Sequence, residues 1–398
     1  MDRSLTVLMV TGAYYPELSG GGLQARAVMH ALRGAATFAV LTTSTDPSLP
    51  SHAEDDGVAV QRIYVNVAST VSRSVAALRL VLAFARMARN ADVVNVHGFS
   101  KKMILIVALS RMLRKPLALT LQTGGHDEPG GVKALGVMAY WAYRRADLYL
   151  SVSPGLSRAY LEEGLPESRL RQVCNAVDTE RFRPVTAGER AVLRSELGLP
   201  SSLPLVLFVG YFARDKRPHL MYDAWAAAGV PSGLILIGAT RASYLEVDTG
   251  LADTIRERAA RAGVLDLLFF VESSATIEKY FRASDLYVLP SIREGLPIAL
   301  LEAMACALPC VASRIPGSTD TVIDDGVNGV LVAPDQTTAF SGAIARLLED
   351  SVTAARLGSA ARRTIVDRYS IQSTSAIWLS AYRDLAGRGA STTGLHRQ

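Results

Sequence analysis

The sequence predicts an α/β protein made of two doubly wound, parallel-sheet domains facing each other across a cleft. Three observations lead there. At 398 residues the chain exceeds the usual size of one hydrophobic core. Short β-branched runs alternate with longer segments of helical period, the pattern of parallel strands joined by crossover helices. That alternation starts afresh after a stretch rich in proline and glycine, which marks a second domain.

In the first half the apolar runs predict strands at residues 5–11, 38–42, 58–64, 93–97, 117–121, 148–152 and 171–174. In the second half they predict strands near 205–210, 234–238, 267–271, 286–289, 309–312 and 329–332. Residues 175–204 carry mixed charge, Pro184, Gly188, Gly198 and two further prolines, and read as the linker. The expected domains are 1–180 and 181–372. Residues 373–398 are expected to form a helix packing back on the first domain, followed by a tail.

A composition of 49% hydrophobic and 20% charged residues is that of an ordinary globular enzyme. Cys174, Cys306 and Cys310 are sparse and have no Cys/His spacing suited to zinc, which fits a reducing compartment and a metal-free site. The apolar start is too short for a signal sequence and reads as a buried strand. No apolar run is long enough to span a bilayer, so a cytoplasmic protein is expected, with peripheral contact at the inner face of the membrane left open. The net charge of +5 is modest and spread over both halves, which argues against nucleic acid as a partner. Arg111, Arg114 and Lys115, with Arg144 and Arg145, are the basic clusters that would meet anionic lipid if an acceptor is lipid-linked.

Open α/β sheets bind ligands at the carboxyl ends of their strands, so the loops just beyond those ends are the places to search. Residues 290–297 follow one such end and lead into an apolar helical run. Gly295 permits close backbone approach, and Pro297 suits the first helical position. Free amides and the helix dipole there make an anion site suited to a diphosphate. Glu294 lies in the loop, and Glu302 lies roughly 7 to 8 Å along the helix axis from Pro297 at 1.5 Å per residue. Carboxylates repel phosphates, so their expected work is accepting hydrogen bonds from sugar hydroxyls, ribose for one and the transferred sugar for the other. The bland alternative makes Glu302 a salt-bridged helix residue and Glu294 a solvated charge.

The run from Ala283-Ser284-Asp285 through Glu294-Gly295-Leu296-Pro297 to Glu302-Ala303-Met304 resembles the E-x7-E motif of the GT-B glycosyltransferases, within their large retaining family four. The likeness continues through Pro316-Gly317-Ser318 and Asp325-Gly326, and covers nearly the whole chain. Tyr15-Pro16 with Gly20-Gly21-Gly22 resembles the family's N-terminal glycine loop, although a glycine triplet alone reads equally well as a flexible turn. The resemblance implies a GT-B fold of two Rossmann-like domains. It also implies that Glu302 binds the nucleotide ribose, that Glu294 meets the donor sugar, and that Gly295 and Leu296 offer amides to the diphosphate. Gly21 and Gly22 would let the N-terminal loop approach the diphosphate from the other side.

Lys216, a few residues beyond Gly210, matches the family lysine that supports the leaving nucleotide. The arginine usually found after that glycine is Tyr211 here, so Arg214 is the candidate substitute. His97 and His126 follow predicted strands. Where the family often has a histidine this chain has Gln122, and His126 with Asp127 resembles a known variant; both, and His97, are candidates for contact with sugar or acceptor.

The resemblance implies a retaining, metal-independent transferase without a bound cofactor. Its donor would be a nucleotide diphosphate sugar, a UDP-sugar first and GDP-mannose next. Its acceptor would be a hydroxyl on a glycan, a lipid-linked group or a small molecule. The rivals are a nucleotide-sugar epimerase of the same fold and a non-catalytic partner subunit.

Overall fold

The computed structural model describes residues 4–17, 19–238, 240, 247–272 and 274–394. The chain divides into two compact units, Met1–Ala176 with Thr374–Gln398, and Val177–Ser373. In the first part of the chain the strands are β1 (Leu5–Thr11), β2 (Ala36–Ser44), β3 (His52–Asp55), β4 (Val58–Tyr64), β5 (Val93–His97), β6 (Leu117–Leu121), β7 (Leu148–Ser151) and β8 (Leu170–Gln172). Their helices are α1 (Gly20–Ala31), α2 (Thr70–Ala88), α3 (Met103–Met112), α4 (Pro129–Ala134), α5 (Val137–Tyr143) and α6 (Pro154–Glu162).

These strands form one sheet in the order β3-β4-β2-β1-β5-β6-β7-β8. β1 lies at the switch point between β2 and β5, and pairs in parallel with both, Leu8 opposite Ala39 and Val94. β5 and β6 are buried along their whole length, as strands covered on both faces must be, which is why they read as mainly apolar runs, with Asn95, His97 and Thr120 as their polar members. β3 was not expected from the sequence. It pairs antiparallel with β4 through Asp56 and Gly57, both at positive φ, as a tight two-residue hairpin turn requires.

The second unit contains α7 (Ala187–Glu196), β9 (Leu205–Val209), α8 (Pro218–Ala227), β10 (Gly233–Ile237), α9 (Gly250–Arg261), β11 (Leu268–Val271), α10 (Ile277–Ala283) and β12 (Leu286–Leu289). It continues with α11 (Ile298–Ala305), β13 (Cys310–Ser313), β14 (Val330–Val332), α12 (Thr337–Glu349) and α13 (Ser351–Arg368). Its parallel sheet runs β11-β10-β9-β12-β13-β14, with the switch between β9 and β12. The core under it includes Phe208, Phe212, Trp225, Ile255 and Phe340.

Residues 175–204 are not a plain linker. Thr186 and Glu189 form a reciprocal capping box that starts α7. Arg190 and Arg194 of that helix then pair with Asp285 at 2.6 and 2.5 Å, holding α7 to the second unit. The last helix, α14 (Ile371–Gly394), places Trp378 so that its Nε1 donates to the Cys174 carbonyl at 2.9 Å. Among the described residues no helix is long and apolar enough to cross a membrane.

Candidate active site

The second unit gathers its charged groups where β9 and β12 end. Beyond β12 the loop 290–297 is fastened to the loop after β9 by Asp215. Its carbonyl accepts the Ile292 amide at 2.9 Å, and its carboxylate pairs with Arg293 at 3.1 Å. This brings the Lys216 Nζ to 2.7 Å from the Glu294 Oε1, with side chains 21% and 9% exposed. An ammonium has three protons, so one satisfies Glu294 and two remain for an incoming anion. Pro297 is the N-cap of α11, so the helix begins at Ile298, one position after the start expected from the sequence. Among the described residues no side chain caps this end; the Leu300 and Leu301 amides donate to the Pro297 carbonyl at 3.1 and 3.2 Å, which leaves those of Ile298 and Ala299 as donors reinforced by the helix dipole.

Glu302 sits one turn further along α11, half-buried between fully buried Leu301 and Ala303. It accepts no hydrogen bond among the described residues. Burial pushes its carboxyl up to about 8, while the Arg181 charge draws it down and Glu278 raises it further. Arg181 itself is committed to Glu278, through Nε at 3.0 Å and Nη2 at 2.7 Å. A largely desolvated carboxyl with no partner is expensive unless a ligand completes it. The salt-bridged alternative for Glu302 is therefore not what the fold provides, and neither is a solvated charge for Glu294.

Arg214 does not stand in for the arginine missing at Tyr211. Its side chain is 87% exposed and pairs with Asp248 at 3.1 Å, away from the Lys216–Glu294 pair. Gly210 sits where its loop leaves β9, donating its amide to the Ile237 carbonyl at 2.9 Å. Gly295 and Leu296 are buried in the loop before α11.

In the first unit, Gly20, Gly21 and Gly22 are the first turn of α1 and not a loop. Ser19 caps it, accepting the Gly22 amide at 3.0 Å and donating to the Ala13 carbonyl at 2.9 Å. A Cβ on Gly22 would lie 2.5 Å from that carbonyl, so only glycine lets the helix start so close to the β1 end. A Cβ on Gly21 would meet His97 at ordinary contact distance.

His97 is buried at the end of β5, where desolvation drives its pKa down to about 3 and leaves it neutral. Its Nε2 lies 3.0 Å from the Asn95 amide nitrogen, and its Nδ1 lies 3.1 Å from the Gln24 Oε1 and 3.3 Å from the Gln122 amide nitrogen. Asn95 also donates to the Tyr382 hydroxyl at 2.7 Å and accepts from Thr120 at 2.9 Å, and Gln24 donates to Asn175 at 2.6 Å. His97, a candidate from the sequence for contact with sugar or acceptor, is thus held as a neutral group within a hydrogen-bonded network. Asp127 is likewise engaged within the fold. Its buried carboxylate accepts the amides of Phe99, Gln122 and Thr123 at 2.7, 2.7 and 3.0 Å, tying the β5 and β6 loops together. Burial raises its pKa against those three bonds. His126 is half-buried in the same loop, its amide donating to the Thr123 carbonyl at 3.3 Å.

Residues 189–364 match the family of glycosyl transferases group 1, and residues 19–176 match the glycosyl transferase 4-like domain. The chain belongs to the group 1 glycosyltransferases. A D-inositol 3-phosphate glycosyltransferase of Saccharomonospora viridis is 31% identical over 56% of this chain and 52% of its own length. The chain therefore spans about half the length of the curated relatives it matches first. An N-acetyl-alpha-D-glucosaminyl L-malate synthase of Bacillus anthracis is 23% identical over 74% of this chain and 75% of its own. The fold is that of Anabaena HepE, whose structure with UDP and glucose superposes at a TM-score of 0.77 with 19% identity, covering 96% of this chain and all of the other. Sucrose-phosphate synthase from Thermosynechococcus elongatus superposes at 0.79 with 22% identity over 96% of this chain and 100% of its own.

Several residues of this glycosyltransferase's site escaped the sequence. Gly238 has φ +151°, and a Cβ there would lie 1.9 Å from the Gly210 carbonyl oxygen, so the β10 end presses on the Gly210 loop. Its place right after a strand was the available signal. Ser291, Ser313 and Ser318 have buried hydroxyls with no partner among the described residues, two of them at the carboxyl ends of β12 and β13. Arg181 and Glu278, which set the field at Glu302, are 97 residues apart in the chain, and nothing local announced them. Among the described residues no group of three or more His, Cys, Asp or Glu is placed to hold a metal.

Proposed function

We propose that this glycosyltransferase moves a sugar from a nucleotide diphosphate sugar, a UDP-sugar before GDP-mannose, to a hydroxyl acceptor with retention of configuration and without metal or bound cofactor. The observation that carries it is Glu302, a half-buried carboxyl with no hydrogen-bond partner among the described residues, beside an uncapped helix start and a lysine with two protons to spare. The amides of α11 and Lys216 take the diphosphate, and Glu302 accepts the ribose hydroxyls. Glu294, held by Lys216, meets the transferred sugar. As the donor bond breaks, negative charge collects on the departing phosphate, where Lys216 and the helix amides already point, so the site stabilises the transition state more than the ground state. Acceptor attack on the face the nucleotide leaves needs no carboxylate nucleophile.

UDP in the HepE complex, and the sugar transferred by named relatives to phosphorylated or carboxylated small molecules, support this donor and an acceptor of the same kind. NMR of the product anomer and assays in EDTA test it. Retained configuration with activity intact under chelation is expected. An inverted product, or activity lost and restored by Mg²⁺, contradicts it.

A further inference from the structure

The first unit holds a cavity of about 580 Å³ between the carboxyl end of β4, the segment joining β2 to β3, and the flank of α2. Three guanidiniums line it, Arg62 from β4 and Arg79 and Arg86 from α2, together with His52. Asp46 is the one lining carboxylate, and its Oδ1 already accepts the Ser48 amide and hydroxyl at 2.8 and 2.6 Å. Arg62 is 4% exposed, donates through Nη2 to the Tyr15 carbonyl, and has an Nε with no partner. Arg86 donates to the Gln61 side chain. Among the described residues none of the three arginines is ion-paired. Glu17 feels the Arg62 charge, yet burial raises its carboxyl and it does not line the cavity. A buried, uncompensated guanidinium is costly, and forked donors converging on one space fit the oxygens of a phosphate group.

The source of that phosphate follows from α2. Val71, Val75, Leu78 and Leu82 are 74, 43, 60 and 62% exposed, at spacings of four, three and four residues. At 100° per residue they form one stripe directly opposite Ala76, Leu80, Ala83 and Phe84, which face the core. The helix carries Arg73, Arg79 and Arg86 and no acidic residue. Across residues 57–126 ten lysines and arginines meet a single carboxylate, Asp92. Leu82, Arg79 and Arg86 belong to α2 and line the cavity as well, so the stripe and the cavity are contiguous. An exposed apolar stripe flanked by arginines suits the boundary between headgroups and acyl chains of an anionic bilayer. The basic clusters singled out in the sequence are less available, since Arg111 pairs with Asp147 at 3.2 Å and Lys115 caps the Arg89 and Ala91 carbonyls at 3.0 and 2.8 Å.

We propose that the Arg62–Arg79–Arg86 cavity binds the phosphate of an anionic phospholipid headgroup while the α2 stripe rests in the membrane interface. This is independent of the donor and of sugar transfer. The test is sedimentation of the full chain with phosphatidylcholine vesicles, with and without phosphatidylglycerol. Calorimetry with soluble glycerol 3-phosphate runs beside it. Binding only to the phosphatidylglycerol vesicles is expected. Arg79→Ala with Arg86→Ala, both exposed positions, should weaken it by at least about tenfold, as expected for two arginines near a charged surface. Arg158→Ala with Arg169→Ala, the same charge removed elsewhere on the unit, should weaken it less than about threefold, given screening beyond a Debye length. Equal losses in the two double variants, equal binding to both vesicles, or binding to neither overturns the proposal. Tight glycerol 3-phosphate binding without vesicle association overturns the lipid source.

Discussion

At the carboxyl end of β5 the first unit places a neutral imidazole among amides and hydroxyls, whereas at the carboxyl end of β12 the second unit places two carboxylates and an ammonium. The first cluster is closed. Both nitrogens of His97 have partners, and Asn95 serves Tyr382, Thr120 and His97 at once. The second is open, with Glu302 unpartnered, three serine hydroxyls idle and the α11 amides uncapped. A closed network fixes geometry and asks nothing of a ligand. An open one is costly until a ligand arrives, and so marks the place where binding energy is to be found.

The largest expected effect is on the open side. Lys216→Ala should lower kcat by at least about two orders of magnitude, the scale of losing one preorganised charge-stabilising donor. Unchanged turnover in the folded variant would assign the leaving group elsewhere and remove the contrast between the two units. On the closed side, Asp127→Ala orphans the buried Phe99 amide and the half-buried amides of Gln122 and Thr123, and should cost roughly 2 kcal/mol or more of stability, read by denaturant titration. A variant as stable as the wild type would mean that those amides find other partners.

The smallest effects sharpen the comparison through pH. Folded His97 titrates near 3 against an ordinary 6.5, so the unfolded chain binds the proton first and stability falls as pH drops below 6.5. The slope is at most about 1.4 kcal/mol per pH unit, and His97→Gln should remove it. Glu302 works in the opposite direction. Its folded carboxyl keeps the proton up to about 8 against an ordinary 4.5, so stability falls as pH rises through that interval, and Glu302→Gln should flatten this limb. Unfolding curves from pH 4 to 9 for both variants would show whether the two units carry opposite slopes.

Much of this was legible in the sequence, because parallel strands buried on both faces announce themselves as β-branched runs and need no partner to be recognised. The exceptions have physical reasons. β3 exposes alternate residues and carries His, Ala, Glu and Asp, so no apolar pattern marks it, although Asp56-Gly57 was a hairpin signal. The Thr186 and Glu189 capping box was equally readable and would have revealed α7 inside the supposed linker. Glu294 and Glu302 stood out by residue type and flanks, and Lys216 by its match to the family lysine. Their environments did not, since the Lys216–Glu294 contact joins residues 78 apart and the desolvation of Glu302 depends on Arg181 and Glu278. His97 was ambiguous for the same reason. A strand end is both where ligands bind and where a fold buries polar networks, and only the partners of His97 tell the two apart.

Calorimetry of the free nucleoside diphosphate against Glu302→Ala and Glu294→Ala tests the central claim, that the open carboxyl is a ribose acceptor and the paired one serves the sugar. Measured above pH 8, where the Glu302 carboxyl is ionised, Glu302→Ala should weaken nucleotide binding by roughly 1.5 to 3 kcal/mol, the worth of a charged hydrogen bond, whereas Glu294→Ala should leave it nearly intact. Equal loss in both variants, or none in Glu302→Ala, would contradict it.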